Sequence, residues 1–315
     1  LIREHRLERL ATAAHSITAQ ALVQALRHDA RAATTLAAAR RLTLEFSDLA
    51  PWFSVCGRLI QARAAIAAGV DLVAGYGGDG TQHEIANAIV RAARHEGREV
   101  TMGVLPGGTG NGFAREVGTP GKLREAVELL CTSGNTRAID VGRLVSVGEA
   151  VADDRYFIQR VYIGVEPEEQ TSREQKDKYG VFAYAVNMAQ RRGEGKRFRY
   201  AVEMDGETGE VEGTKAYLIN SGMMGTGLRI THTYSIEDGL LDCFLVDKNN
   251  LDTLVSATER FLAMPTAAAS RHFRQAREVS LDVDPDQPIW ADGEYIGRTP
   301  LKVDVLPGAL RIVVP

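Results

Sequence analysis

The chain has 315 residues, 44% hydrophobic and 25% charged, with a formal net charge of −4. This is an ordinary globular composition, long enough for two domains of ~100–200 residues, and the charge leaves no basic footprint for nucleic acid. Three cysteines, Cys56, Cys131 and Cys243, stand far apart with no paired spacing, which argues against a disulfide frame or zinc site and suits a reducing, cytoplasmic setting.

Residues 1–40 are rich in Ala and Arg, with apolar positions at Leu7, Leu10, Ala14, Ile17, Ala21, Leu22, Ala25 and Leu26. That spacing predicts one or two amphipathic helices, either core-facing or lying on a membrane surface. Leu1–Arg9 is charged and lacks the apolar segment of a signal peptide. No apolar run reaches the ~18 residues that span a bilayer. The first strand expected is Leu42–Phe46, followed by helical periodicity over 58–68.

The apolar run Gly69–Ala74 leads into Gly75-Tyr-Gly-Gly-Asp-Gly-Thr81, and helical spacing follows at Glu84, Ile85, Ala88, Ile89 and Ala92. The pattern is buried strand, glycine turn, helix. Such a turn lets backbone N–H groups approach a phosphate, which the helix N-terminus also favours. Asp79 would repel a phosphate unless Mg²⁺ or a proton donor stood between them. Taken alone, the same residues also suit a tight turn with a solvated Asp. A second apolar piece, Val100–Leu105, runs into Pro106-Gly-Gly-Thr-Gly-Asn-Gly-Phe113 and another helical stretch. The two loops lie about one βαβ unit of ~30 residues apart, so they are expected on the same edge of a parallel sheet, where α/β folds bind ligands. Lys122–Leu130 reads as a further helix, stopped by Ser133-Gly-Asn135.

After Asp140 the pattern changes. Arg155–Tyr162 alternates as a strand, and Val181–Met188 is helical. Short strands are expected at Arg197–Met204, Glu210–Gly213, Lys215–Asn220, Leu241–Val246, Val279–Val283, Leu301–Leu306 and Leu310–Val314, with Asp205-Gly206 as a hairpin signal and a helix at Leu251–Met264. The expected fold class is therefore α/β plus all-β. It has an N-terminal parallel-sheet nucleotide domain over 1–139, a β-sandwich-like acceptor domain over 140–305, and a strand at 306–315 returning to the first domain.

Gly77-Gly-Asp-Gly-Thr81 with Glu84 and Asn87, then Leu105-Pro-Gly-Gly-Thr-Gly-Asn111 with Phe113-Ala-Arg115, resembles the diacylglycerol kinase catalytic family, which includes bacterial lipid kinases and sphingosine kinases. Ile139-Asp-Val-Gly142 resembles that family's crossing into its second domain. Glu237-Asp-Gly-Leu-Leu-Asp242 and Asp292-Gly-Glu294 resemble its metal and catalytic segments. The resemblance runs in order over residues 60–315. It implies an ATP-dependent lipid kinase with its active site in a cleft between the domains. ATP would be bound by Gly77, Gly78, Asp79, Gly80, Thr81, Gln82, His83, Gly107, Gly108, Thr109 and Asn111. Glu294, assisted by Asp292, would deprotonate the acceptor hydroxyl, with Asp79 in the catalytic set. Mg²⁺ would be held by Asp238 and the backbone carbonyls of Ser235 and Leu240.

The residues themselves leave alternatives at several of these positions. Asn111 can orient a phosphate or its own left-handed turn. Asp292 and Glu294, spaced i and i+2, would share one side of an extended segment, where paired carboxylates suit proton abstraction; they also suit a glycine-centred hairpin with solvated acids. Asp238 also fits an ordinary turn, and His83 a surface histidine. The chain departs from the family in two places. No Asn-Pro-x-Ser-Gly loop occurs within residues 1–60, and Gly112 stands where the family often has Asp. Thr43 and Ser47 remain unassigned. The partner expected is a lipid met at the membrane surface by a protein without a spanning segment, with a homodimer left open. Two other readings stand beside this one: an NAD-kinase-like small-molecule kinase, and a kinase fold that binds lipid or nucleotide without turnover.

Overall fold

A computed structural model describes residues 42–46, 62–63, 65–67, 69–148, 150–164, 197–221, 235–246 and 273–315. The helices expected over 1–40, Val181–Met188 and Leu251–Met264 lie outside these residues, as does Ser47. The chain divides into two compact units at Ile139/Asp140, and the C-terminal Ala309–Pro315 belongs to the first unit.

In the first unit, β1 (Leu42–Phe46), β2 (Leu72–Gly77) and β3 (Thr101–Pro106) pair in parallel. Val73, Ala74, Met102, Val104 and Leu105 are all buried, as a parallel strand covered on both faces requires. Helix α1 (Asp79–Glu96) follows β2 and ends on Gly97, whose φ of 63° supplies the left-handed C-terminal cap. Helices α2 (Gly112–Glu116) and α3 (Leu123–Thr132) follow β3. Ala126, Val127 and Cys131 of α3 close a small core on Ala74 and Leu105. The end of the last strand, β15 (Leu301–Val313), joins this sheet in parallel, with Ile312 opposite Met102. Ser133 Oγ donates to the Val314 carbonyl at 2.7 Å and holds the tail there.

The second unit is antiparallel. One layer runs β11 (Phe273–Ala276), β10 (Leu241–Val246), β9 (Lys215–Ile219), β6 (Arg160–Ile163), β13 (Pro288–Ala291) and β14 (Glu294–Arg298). The other is built from β4 (Thr136–Val147), β5 (Ala150–Phe157), the start of β15, β12 (Glu278–Asp284), β7 (Phe198–Met204) and β8 (Glu207–Gly213). Phe157, Val161, Leu218, Tyr200, Val279 and Ile289 fill the space between the layers, each such side chain contributing roughly 1.5–3 kcal/mol on burial. A parallel-sheet unit followed by a β-sandwich-like unit is the fold class the sequence implies.

Two differences from the sequence expectation have causes in the hydrogen bonding. The run Arg155–Tyr162 is two strands, broken at Ile158 and Gln159, because the Asp292 carboxylate takes the N–H groups of Ile158, Gln159 and Arg160 at 2.7, 3.0 and 2.8 Å. The two closing strands are one, β15, which runs through Pro307-Gly308. The N–H of Gly308, whose φ is 60°, is taken by Asp140 Oδ1 at 2.8 Å. Strands β4, β11, β13 and β14 are not among the strands expected from the sequence. The Asp205-Gly206 hairpin is as expected, with φ of 52° and 86°.

The six-stranded layer carries a cross-strand row of aromatics. Tyr295 pairs with Trp290, Trp290 with Tyr162, Tyr162 with Tyr217, and Tyr217 with Phe244. All five are at least partly exposed. Between the layers, a cavity of about 340 Å³ is lined by Val202, Met204, Val211, Leu218, Cys243 and Leu281, among others, with Arg274 and Glu207 also on its wall.

Candidate active site

The two glycine loops meet each other. The N–H of Gly107 donates to the Gly77 carbonyl at 3.0 Å. A Cβ on Gly108 would lie 2.5 Å from Gly78 Cα, and one on Gly107 would lie 2.7 Å from the Tyr76 ring. These glycines are therefore required for the loops to touch. Gly78 caps α1 in an extended conformation, and Asp79 is the first helical residue.

Asp79 does something the sequence did not suggest. Its Oδ1 accepts the N–H of Phe113 at 2.9 Å and its Oδ2 that of Gly112 at 3.2 Å. The carboxylate thus caps the start of α2 from the other loop and ties the two loops together. Asn111 sits at φ 50°, ψ 43°, accepts the N–H of Gly108 on Oδ1 at 2.8 Å, and donates from Nδ2 to the Gly108 carbonyl at 2.5 Å. Of its two sequence readings, the loop-orienting one describes these contacts. Gly107 and Gly108 accordingly use their N–H groups within the loops. Gly78 and Gly110 are half-buried; as the cap and second residue of α1, Gly78 and Gly80 present N–H groups that no intrahelical carbonyl reaches. Gly80 and Thr109 are exposed.

Thr81, Gln82 and His83 do not share that openness. Thr81 is 3% and Gln82 1% exposed. Gln82 Nε2 donates to the Gly75 carbonyl at 3.0 Å, fixing the base of the turn. His83 is buried and near Asn87, whose Nδ2 donates to the His83 carbonyl at 2.9 Å; the expected surface histidine is a core one.

In the second unit, Asp292 and Glu294 belong to the β13–β14 hairpin. Asp292 has φ 46° and Gly293 φ 93°, so both are turn residues. The idea that the two carboxylates lie side by side on an extended segment does not hold. Asp292 is folded back onto three backbone N–H groups, while the half-buried Glu294 is the first residue of β14. The Gly-centred hairpin is present, but its Asp is bound to backbone rather than solvated.

Ser235, Asp238 and Leu240 share one turn. Asp238 Oδ1 accepts the N–H of Leu240 at 3.0 Å, and Ser235 Oγ that of Glu237 at 3.2 Å. The Asp238 carboxyl is raised above its usual pKa, first by partial desolvation and further by the Asp140 charge, against the lowering effect of the Leu240 N–H. A cation would relieve both raising effects. One carboxylate with backbone carbonyls is a hard, all-oxygen donor set, which fits Mg²⁺.

Sequence reasoning missed two residues of this unit, Asp140 and Asn220. Asp140 is 2% exposed. Its Oδ2 accepts the Gly239 N–H at 2.6 Å, and its own N–H donates to the Ile236 carbonyl at 2.7 Å. A lone acid between Ile139 and Val141 was the available signal, because a buried carboxylate must find donors. Asn220, at the end of β9, carried no comparable signal.

A profile of the diacylglycerol kinase catalytic domain matches residues 54–144, and one of the YegS C-terminal NAD kinase beta sandwich-like domain matches residues 159–314. Residues 54–144 thus match a diacylglycerol kinase catalytic domain, and residues 159–314 a YegS-type C-terminal domain. A Shewanella frigidimarina protein named "Probable lipid kinase YegS-like" is 28% identical over 254 residues, covering 80% of this chain and 79% of that protein. A Staphylococcus saprophyticus protein named diacylglycerol kinase is 25% identical over 248 residues, covering 76% and 75%. An uncharacterised Synechocystis protein is 28% identical over 264 residues, and the match spans 55% of its length. Among solved structures, a diacylglycerol kinase from Bacillus anthracis superposes with a TM-score of 0.69 at 20% identity, covering 87% of this chain and 97% of that one. That likeness is one of fold. Among the described residues, no helix is long and apolar enough to cross a membrane.

Proposed function

We propose that this protein is an ATP-dependent lipid kinase, transferring the γ-phosphoryl group to a lipid hydroxyl. The observation that carries the reading is the pair of interlocked glycine loops at the ends of adjacent parallel strands. They leave the first N–H groups of an 18-residue helix without an intrahelical acceptor, with Gly80 and Thr109 exposed. Converging donors and the positive end of a helix dipole suit a polyphosphate. Asp79 and Asn111 serve by holding that cradle, with Gln82 behind it.

The acceptor side is assigned to the second unit. Glu294 takes the proton of the acceptor hydroxyl as its oxygen bonds to the γ-phosphorus. The bond from phosphorus to the bridging oxygen breaks, and ADP leaves with the electron pair. Asp292 holds the hairpin that carries Glu294. Bound Mg²⁺ would supply neutralisation of the phosphate charge, and Asp238 with the carbonyls of Ser235 and Leu240 would hold an ion in this unit that is more structural than catalytic. The apolar cavity and the aromatic row of the second unit support a hydrophobic acceptor over a dinucleotide, whose ribose and phosphates need polar partners. In this reading the protein meets its acceptor at a membrane surface.

The test is incubation with γ-labelled ATP and Mg²⁺ against extracted lipids and, separately, against NAD. Label in an organic-phase product is expected. Label in NAD alone would replace this reading by the NAD-kinase-like one, and nucleotide binding with no transfer to either by the binding-module one.

A further inference from the structure

We propose that Asn220 is a positioning residue that couples the Asp238 turn to the Glu294 hairpin, so that the two acidic elements of the second unit move as one. The inference rests on the assignment of Glu294 as the acceptor's base, but its primary readout does not need activity.

Asn220 is 1% exposed. Its Nδ2 donates to the Asp140 carbonyl at 2.9 Å and to the Ile158 carbonyl at 3.0 Å. Both partners are acceptors, so the nitrogen must face them and the amide has one orientation. Its Oδ1 is buried with no partner among the described residues; the side chain is held through its NH₂ alone. The Asn220 and Ser221 N–H groups both reach the Gln159 carbonyl, at 2.8 and 2.9 Å.

Each peptide that Asn220 grips controls one acidic element. On one side, Asp140 binds the turn on which Asp238 sits, through its N–H to Ile236 and its carboxylate to Gly239, at 2.7 and 2.6 Å. On the other, the N–H groups of Ile158, Gln159 and Arg160 converge on the Asp292 carboxylate, and the Asp292 N–H returns to the Arg160 carbonyl at 2.9 Å. Glu294 follows two residues later. One side-chain amide therefore bridges the supports of both elements, and a network of this kind opens cooperatively when its shared member is buried.

Native-state hydrogen exchange of the wild-type protein supplies the first test. The amides of Gly239, Ile158, Gln159 and Arg160 are expected to share one opening free energy as denaturant rises. Separate isotherms for Gly239 and for 158–160 would overturn the proposal without any variant. Asn220→Ala should then accelerate exchange at both places by at least about tenfold, while the Val279 and Leu281 amides of β12 stay protected. Asn220→Ser, which restores one donor, should recover part of that protection and serves if the alanine variant does not fold. Loosening of only one place, or uniform loosening throughout the unit, would also overturn the proposal. In the transfer assay, Asn220→Ala should lower kcat about tenfold with KM for ATP unchanged. If wild type shows no transfer, the lipid-kinase reading fails while the exchange result still decides the coupling. If transfer is normal and exchange uncoupled, the coupling alone fails.

Discussion

The glycine loops of the first unit and the acidic turns of the second use carboxylates alike yet leave opposite chemistry available. In the loops, Asp79 binds Gly112 and Phe113, and what stays open is the start of α1 with its N–H donors. In the turns, Asp140 and Asp292 bind backbone N–H groups, and what stays available is acidic, Glu294 and Asp238. One unit is prepared for an anion, the other for a proton or a cation. The contrast teaches that Asp79 and Asp292, each beside a glycine, are first acceptors for backbone N–H groups, and that the chemistry falls to their neighbours.

The largest expected effect is at Glu294. Glu294→Gln keeps the shape of β14 and removes the base. Turnover should fall by about 10²–10⁴-fold, with KM for ATP and the melting temperature unchanged. Wild-type-like turnover would remove Glu294 from the mechanism and leave the acidic half of the comparison without a catalytic member.

The next pair separates a glycine that lets the loops touch from one that leaves room for a ligand. Gly108→Ala sets a methyl group 2.5 Å from Gly78 Cα, against backbone that cannot rotate away. A cost of about 1–3 kcal/mol in stability is expected, together with loss of nucleotide binding. A Cβ on Gly80 meets nothing within 4 Å. Gly80→Ala should leave the protein as stable or up to ~1 kcal/mol more stable, yet weaken ATP by crowding the open donors. Denaturant unfolding and nucleotide titration of both variants check this. Unchanged ATP affinity in Gly80→Ala would move the phosphate away from the start of α1.

These positions also show where the sequence was legible. The strand–glycine–helix alternation of the first unit could be read because spacing and burial pattern are local properties of the chain. So could the Asp205-Gly206 hairpin. The partner of Asp79 could not, because Phe113 is 34 positions away and nothing in either segment names the other. Asp292 breaks the Arg155–Tyr162 run from 134 positions away, an effect no window of local sequence contains. Asn220 is the extreme case: its importance lies wholly in two carbonyl groups, and every residue has a carbonyl. The single strand β15 was read as two because Pro307-Gly308 is a turn signal that the Asp140 carboxylate overrides.

The smallest expected effect concerns the acid that lacks a backbone partner for one oxygen. Asp242 is 3% exposed, and its Oδ1 has no hydrogen-bond partner among the described residues. Asp140, equally buried, is capped by two N–H groups. Burial pushes the Asp242 carboxyl up to about 6, a hydrogen bond from Gln275 opposes the shift, and the charge of Asp238 adds to it. The unfolded chain holds this group near its usual value of 3.8. Between those two values the folded protein binds the proton and the unfolded chain does not. Asp242 therefore contributes stability that is full below pH ~4 and lost as pH rises through about 6. Asp242→Asn stays neutral throughout, so the variant should gain on wild type across that window, by on the order of 1–2 kcal/mol once solvent screening is allowed for. Urea unfolding at pH 4, 5 and 7.5 in metal-free buffer measures the difference. A gap that does not change with pH would mean that Asp242 is ionised and paired in the folded state, and the contrast with the capped Asp140 would disappear.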